Sequence, residues 1–166
     1  THHKYSDTKF DPHSPKYGGY GVLLSTYNLT KVLKPPLFLL RNKFYVFLYK
    51  YYYGIVFGWA SLLYLIDPLL FWWMWAIPVV LQIWASTINN WATHNKWGYT
   101  RYNIEDDSKN IWWVNLLSWG EAWHNNHHAE PWTYSFSRKW YEIDITGMYI
   151  WLMIKLGFAK HGVKWN

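Results

Sequence analysis

The chain has 166 residues, no cysteine, 15 Trp, 15 Tyr and 8 Phe, and 16 Lys+Arg against 10 Asp+Glu. One domain is the expectation for that length, and the missing cysteines exclude iron–sulfur clusters, thiolate zinc sites, disulfide scaffolds and cysteine nucleophiles, so any metal must be held by nitrogen or oxygen. At 51% apolar and 23% aromatic the composition excludes disorder, and with Trp and Tyr enriched where protein meets the bilayer interface it points to a membrane protein despite a slightly negative mean hydropathy.

Residues 1–43 are polar and basic, with seven Lys/Arg against two Asp and turn signals at Asp11-Pro12, Ser14-Pro15, Gly18-Gly19 and Pro35-Pro36. The chain opens at Thr1 inside this polar stretch and reads as a partial chain. Residues 44–66 carry only Lys50 as a charge, and residues 69–88 carry none; as helices both reach across a hydrocarbon core of ~30 Å. Asp67-Pro68 breaks the chain between them, and Pro78 is expected to kink the second without ending it. So short a connection makes the two spans antiparallel neighbours and returns both flanks to one face. Lys31, Lys34, Arg41 and Lys43 before the hairpin and Lys96, Arg101 and Lys109 after it place that face in the cytosol, because positive charge is retained there. Ile111 to Trp123 is too short to span; Asp107 or Ser108 stands ready to cap it as a helix lying against a cytosolic cap. Residues 140–158 carry Glu142, Asp144 and Lys155 among apolar residues and read as an amphipathic interfacial helix. The expected fold is all-α: a polytopic membrane fold with residues 1–43 cytosolic, a helix hairpin over 44–66 and 69–88, and a helical cytosolic cap over 91–166.

Six of the eight histidines fall in three places: His2 and His3, His94 just past the second span, and His124, His127 and His128 in HNNHH. On a helix the spacing i, i+3, i+4 puts the last three on one face, and Asn90 lies one turn before His94. The hairpin returns all of these groups to one membrane face. Neutral imidazoles without thiolates suit Fe, Cu, Zn or Ni rather than Mg or Ca, and six exceed what one tetrahedral zinc with a catalytic water uses, so two metals are the economical reading. Glu121 precedes His124, but the HExxH spacing of zinc proteases is absent, and neither span holds the buried histidines that a haem needs. His13 and His161 get the ordinary reading of a turn and a terminal histidine. The positive balance is first the signature of a cytosolic flank, and no nucleic-acid partner is expected.

These motifs resemble those of membrane fatty acyl desaturases of the Δ9 acyl-CoA or acyl-lipid type. THHKYSDTKFDPHS is similar to the end of that family's second histidine box and the acidic stretch after it, NNWATH to its NxxxH element, GYTRYN and DDSKNIWWVNLLSWGEAWHNNHHAEP to its third box and approach, and YEIDIT…LGFAK to its C-terminal helix. The resemblance implies a four-helix membrane fold with a cytosolic cap and a di-iron centre held by nine histidines, with one iron-bound water held by an asparagine. Position by position it gives His2, His3, His94, His124, His127 and His128 as metal ligands and Asn90 as the water-holding residue. The other three ligands, with two more spans, are expected upstream of Thr1, so the chain alone is expected to be inactive. Thr87 and Asn89, Thr26 to Leu29, and Glu130 depart from the family pattern; they leave the predicted metal shell intact and bear on acyl carrier and double-bond position.

The activity so implied is insertion of a cis double bond into a long-chain acyl-CoA or acyl-lipid with O2 and two electrons at two iron ions. No flavin, nicotinamide or haem motif is visible, so electrons come from outside, in the family from cytochrome b5 or ferredoxin. The expected location is the endoplasmic reticulum of a eukaryote or the inner membrane of a bacterium, with the site on the cytosolic face. The rivals are a fatty acid hydroxylase or other oxygenase on the same scaffold, and a non-enzymatic membrane metal-binding protein. The last predicts ionisable residues within the spans, where only Lys50 near one end is found.

Overall fold

The computed structural model describes residues 1–24 and 37–160. The flanking charges Lys31 and Lys34, the Pro35-Pro36 turn, the departures at Thr26 to Leu29 and His161 lie outside the described residues. Those described are helical without a named strand: α1 (His2–Tyr5), α2 (Pro15–Gly18) with a 3-10 turn (Gly19–Gly21), α3 (Leu37–Arg41), α4 (Lys43–Ile66), α5 (Pro68–Phe71), a π-helical turn (Trp72–Ala76), α6 (Ile77–Thr93), α7 (Trp112–Ser118), α8 (His124–Ala129) and α9 (Ile145–Lys155). They form two compact units, residues 32–83 and the remainder.

In the first unit Asn42 starts α4 by accepting the Phe44 N–H at 3.0 Å. Asp67 ends that helix in an extended conformation and caps α5, accepting the Leu69 N–H at 2.8 Å with Pro68 in the first turn, where its missing N–H costs nothing. The chain thus reverses within two residues, and ring contacts of Tyr64 with Phe71 (5.9 Å) and Phe57 with Trp75 (6.3 Å) run antiparallel along α4 and its successor. Pro78 does not end the helix. It offers no N–H and crowds the carbonyl four residues back, and the backbone responds one turn earlier by widening to a π-turn in which the Ile77 N–H reaches the Trp72 carbonyl. Among the described residues one helix is long and apolar enough to cross a membrane by length and composition, the 26-residue run Pro68–Thr93, of whose apolar stretch only 6% is buried. It runs further than residues 69–88. The 24 residues of α4 have the length, but six tyrosines and Lys50 dilute their apolar character.

In the second unit Ala92 of α6 packs with Ile111, Val114 and Ala122, and Trp91 closes over them. Two isolated bridges, Tyr99 with Asn110 and Asn110 with Trp123, staple the loops that flank α7. α7 starts later than the sequence suggests and without Asp107 or Ser108 as its cap: Ile111 stands at its N-terminus, its own N–H bonded to the Ala122 carbonyl at 2.9 Å. Asp107 and Ser108 lie in the preceding loop, which their N–H groups tie to Asp7 and Asp106. α9 covers only the later part of residues 140–158. Glu142 and Asp144 precede it and are 1% and 4% exposed, so they are buried acceptors and not the polar face of an amphipathic helix. Asp144 caps α9 through the Gly147 N–H (2.7 Å) and also accepts the Phe136 N–H (2.7 Å) and the Ser135 hydroxyl (3.0 Å).

Candidate metal centre

The three histidine-bearing segments meet within the second unit. Ligand nitrogens of His2, His94, His124 and His128 all lie within 4.8 Å of one another. Three local devices supply them: His2 opens α1, His94 follows the last residue of α6, and His124 and His128 are one turn apart on α8. His3 and His127 stand beside this group without joining it; their rings are 4.5 Å apart, His3 stacks on His128 at 4.5 Å, and His127 leans on Phe136 at 4.2 Å. Asn90 lies half-buried on α6, one turn before His94. His13, a turn histidine by its sequence, has its ring 5.5 Å from that of His2.

Outer partners fix which nitrogen of each imidazole faces inward. The Nδ1 of His2 lies 2.9 Å from Asp11, that of His94 2.8 Å from Asp7, that of His128 2.6 Å from Asp106, and that of His124 3.1 Å from the Glu121 carbonyl. Burial pushes the carboxyls of Asp7, Asp11 and Asp106 up, but hydrogen bonds from the histidines and from backbone N–H groups outweigh it and hold all three below the usual carboxylate range. Ionised carboxylates and carbonyls only accept, so in each case Nδ1 carries the proton and the lone pair resides on Nε2.

That tautomer leaves a problem that a cation solves. Nε2 of His2 and of His94 are buried without a hydrogen-bond partner, and those of His124 and His128 face each other at 3.1 Å with no proton to share. Burial first, then the neighbouring imidazoles, keeps His124 neutral well below its ordinary range and brings His127 down to about 3; burial, then His128 and His2, brings His3 to about 4. Three ionised carboxylates thus stand around a cluster in which burial disfavours the charged form of His3, His124, His127 and His128. Converging nitrogen lone pairs within a carboxylate shell are the donor set of a metal centre for borderline transition ions, and these residues fit one.

The HNNHH segment is locked from its other side. Asn125 accepts the Arg101 and Tyr102 N–H groups (2.7 and 2.8 Å) and donates to the Tyr102 carbonyl (3.1 Å). Asn126 donates to the Phe136 carbonyl (2.8 Å) and Glu142 (3.1 Å) and accepts from the Asn110 amide (2.9 Å). Glu142 in turn accepts from Tyr99, Arg101, Asn126 and the Arg138 and Lys139 N–H groups. The sequence reading gives Asp7, Asp11, Asp106, Asn125, Asn126 and Glu142 no part in the site. A signal was present for the two asparagines: adjacent Asn are poor helix formers, and inside a short helix they imply side-chain bonds that offset the lost propensity.

The family model described as fatty acid desaturase matches residues 1–146. The chain is 34% identical to an sn-2 palmitoyl-lipid 9-desaturase of Nostoc sp. (strain 36), over 96% of this chain and 59% of that protein. It is 35% identical to an acyl-CoA C20 Delta5-desaturase of Anemone leveillei, over 95% and 53%, and 35% identical to an sn-1 stearoyl-lipid 9-desaturase of Anabaena variabilis, over 96% and 61%. The chain thus spans little more than half the length of the curated relatives it matches. An extended match across every histidine segment, joined to an all-helical fold that gathers those histidines, means that the chain belongs to the fatty acid desaturase family.

Proposed function

We propose that the protein carrying this chain is an O2-dependent desaturase that introduces a cis double bond into a long-chain acyl group carried as a CoA thioester or a lipid ester. The observation that carries the reading is the convergence of four imidazoles from three segments, two of whose inward nitrogens, on His2 and His94, are buried without a partner while those of His124 and His128 meet only each other. His2, His94, His124 and His128 would hold one iron, His3 and His127 would serve a second, and Asn90 would act through a bound water. Iron bound at this centre would supply, with O2 and two electrons, the oxidising power to take hydrogen from an unactivated methylene, which zinc lacks. Overall the acyl chain loses two hydrogens while O2 is reduced to two waters with two electrons and two protons.

The remaining roles belong to the chain's own groups. Depressed imidazole basicity keeps protons from competing for the inward nitrogens at neutral pH, and the outer carboxylates hold the rings in place. The run Pro68–Thr93, followed at once by His94, serves as a span that sets the centre at the cytosolic surface of the membrane, with α4 as its antiparallel neighbour and residues 91–166 as the cap. There a polar head group stays in water while its chain enters an apolar passage that keeps water from the reacting carbons. Electrons come from a separate donor, cytochrome b5 or a ferredoxin. Endoplasmic reticulum or bacterial inner membrane is the location that follows.

The test is expression of the complete reading frame in a host unable to make unsaturated fatty acids, with lipid analysis. An alkene in the wild type, and its loss in His124→Ala, His127→Ala and His128→Ala at unchanged membrane accumulation, is the expected result. An alcohol as the only product, or desaturation retained in any of the three, overturns the proposal.

A further inference from the structure

Three aspartates surround the imidazole cluster, and their oxygens are already engaged. Asp7 accepts His94 Nδ1 and the Asp107 N–H on Oδ2, each at 2.8 Å, and the Ser14 hydroxyl on Oδ1 at 3.2 Å. Asp11 accepts His2 Nδ1 and the His13 N–H on Oδ1, each at 2.9 Å, and the Asp7 N–H on Oδ2 at 2.9 Å. Asp106 accepts His128 Nδ1 on Oδ2 at 2.6 Å and the Ser108 N–H on Oδ1 at 3.0 Å. Their side chains are 5%, 0% and 11% exposed. A carboxylate whose two oxygens both hold donors on the outer side of the rings is not placed to bind a metal itself. It can set the angle and tautomer of the imidazole and raise its donor strength.

We propose that Asp7, Asp11 and Asp106 are positioning residues of the metal centre, each aiming one ligand imidazole inward through its Nδ1–H, and that Asp7 is the clasp that joins the first segment to His94 and to the loop at Asp107. Asp7 connects residues 87 and 100 positions away in the chain, and through its own N–H it is tied to the carboxylate that holds His2. Its backbone is left-handed (φ 55°), a conformation that Asp and Asn tolerate and branched or bulky residues do not. Asp7→Asn therefore keeps backbone, volume and an acceptor oxygen while removing the charge.

The inference rests on the metal reading above, and its test separates the two. The complete protein, its Asp7→Asn and Asp106→Asn variants, and Asp67→Asn as a distant control are purified, stripped and titrated with Co2+ against a chelator. The visible Co2+ absorption and the thermal unfolding of the metal-free forms are recorded alongside. The expected result is a roughly 10- to 100-fold weaker Co2+ affinity in each of the two test variants, with altered absorption bands, and wild-type behaviour in the control. A purely structural role would instead lower the unfolding temperature of the metal-free protein and leave affinity and spectrum in place, which overturns the inference. If Asp7→Asn does not accumulate, Asp106→Asn, on a separate and partly accessible loop, decides alone. Wild-type protein that binds no metal overturns the metal centre together with this inference; loaded wild type with unchanged variants overturns the inference only.

Discussion

Replacing Glu142 by Gln tests what holds the second unit together. The carboxylate is 1% exposed and takes five donors: Tyr99 (2.5 Å) and Arg101 on Oε1, and Asn126 (3.1 Å), the Arg138 N–H (2.6 Å) and the Lys139 N–H (3.1 Å) on Oε2. Burial pushes its carboxyl up, but the hydrogen bonds from Tyr99 and Arg101 win and hold it below the usual range, so it is ionised at neutral pH. Gln preserves volume and leaves no cavity. Whichever way its amide turns, an NH2 faces groups that can only donate, either the Arg101 guanidinium or the two backbone N–H groups with Asn126. Breaking a buried charge pair costs about 3–5 kcal/mol. The Arg101 side chain is 20% exposed and recovers some hydration, so the lower end, about 3 kcal/mol, is the expectation. At roughly 2–4 °C per kcal/mol this lowers the unfolding temperature by on the order of 10 °C. Thermal unfolding of the purified protein followed by Trp fluorescence measures it. Because the Phe136 carbonyl and the Asn110 amide still hold Asn126, α8 keeps its place and metal uptake persists in the variant below its unfolding temperature. An unfolding temperature within about 2 °C of wild type would refute the reasoning, because five donors on one buried carboxylate cannot lose it at so small a cost.

Gly120 has φ 131°, and a Cβ there would lie 2.8 Å from Asp144 Cγ, so Gly120→Ala combines backbone strain of about 1–3 kcal/mol with loss of the α9 cap, about 1 kcal/mol more. Denaturant unfolding checks it; an unchanged midpoint refutes it. The metal-free protein loses stability as pH falls from about 7 to about 5. In that window the unfolded chain takes up protons on histidines of ordinary pKa 6.5, which the fold holds neutral down to about 4 at His3 and about 3 at His127. Stability therefore rises with pH across the window. The contribution of Asp7 and Asp11, whose carboxyls are depressed, is present above the usual carboxylate range and is lost only below it. A thermal midpoint that is flat over this interval sinks the prediction.

Length and lack of charge made the two long helices legible, and spacing made the HNNHH helix legible. The first runs Lys43–Ile66 against the expected 44–66, while the second continues past its apolar run at residue 88 to Thr93, because Thr87, Asn89, Asn90 and Thr93 are helical for reasons of packing and main-chain bonding that hydropathy does not carry. Pro78 announced a distortion, but only the surrounding backbone could choose a π-turn over a bend. Glu142 and Asp144 were read as a solvated face because a polar residue at helical spacing looks the same whether it faces water or a nest of buried donors. The outer aspartates escaped notice for a related reason. The partner of Asp7 is 87 residues away, and no local pattern encodes a contact that depends on two chain reversals.

The wide spacing of Asp7 and its partners also orders events during biosynthesis. His2, His3 and Asp7 leave the ribosome well before the groups they need, which follow at His94, Asp107 and His128. By then Pro68–Thr93, long and apolar enough by length and composition to cross a membrane, has already emerged. A metal held as proposed would in consequence load late in maturation, only in chains where His94 and His128 have reached residues 2–11.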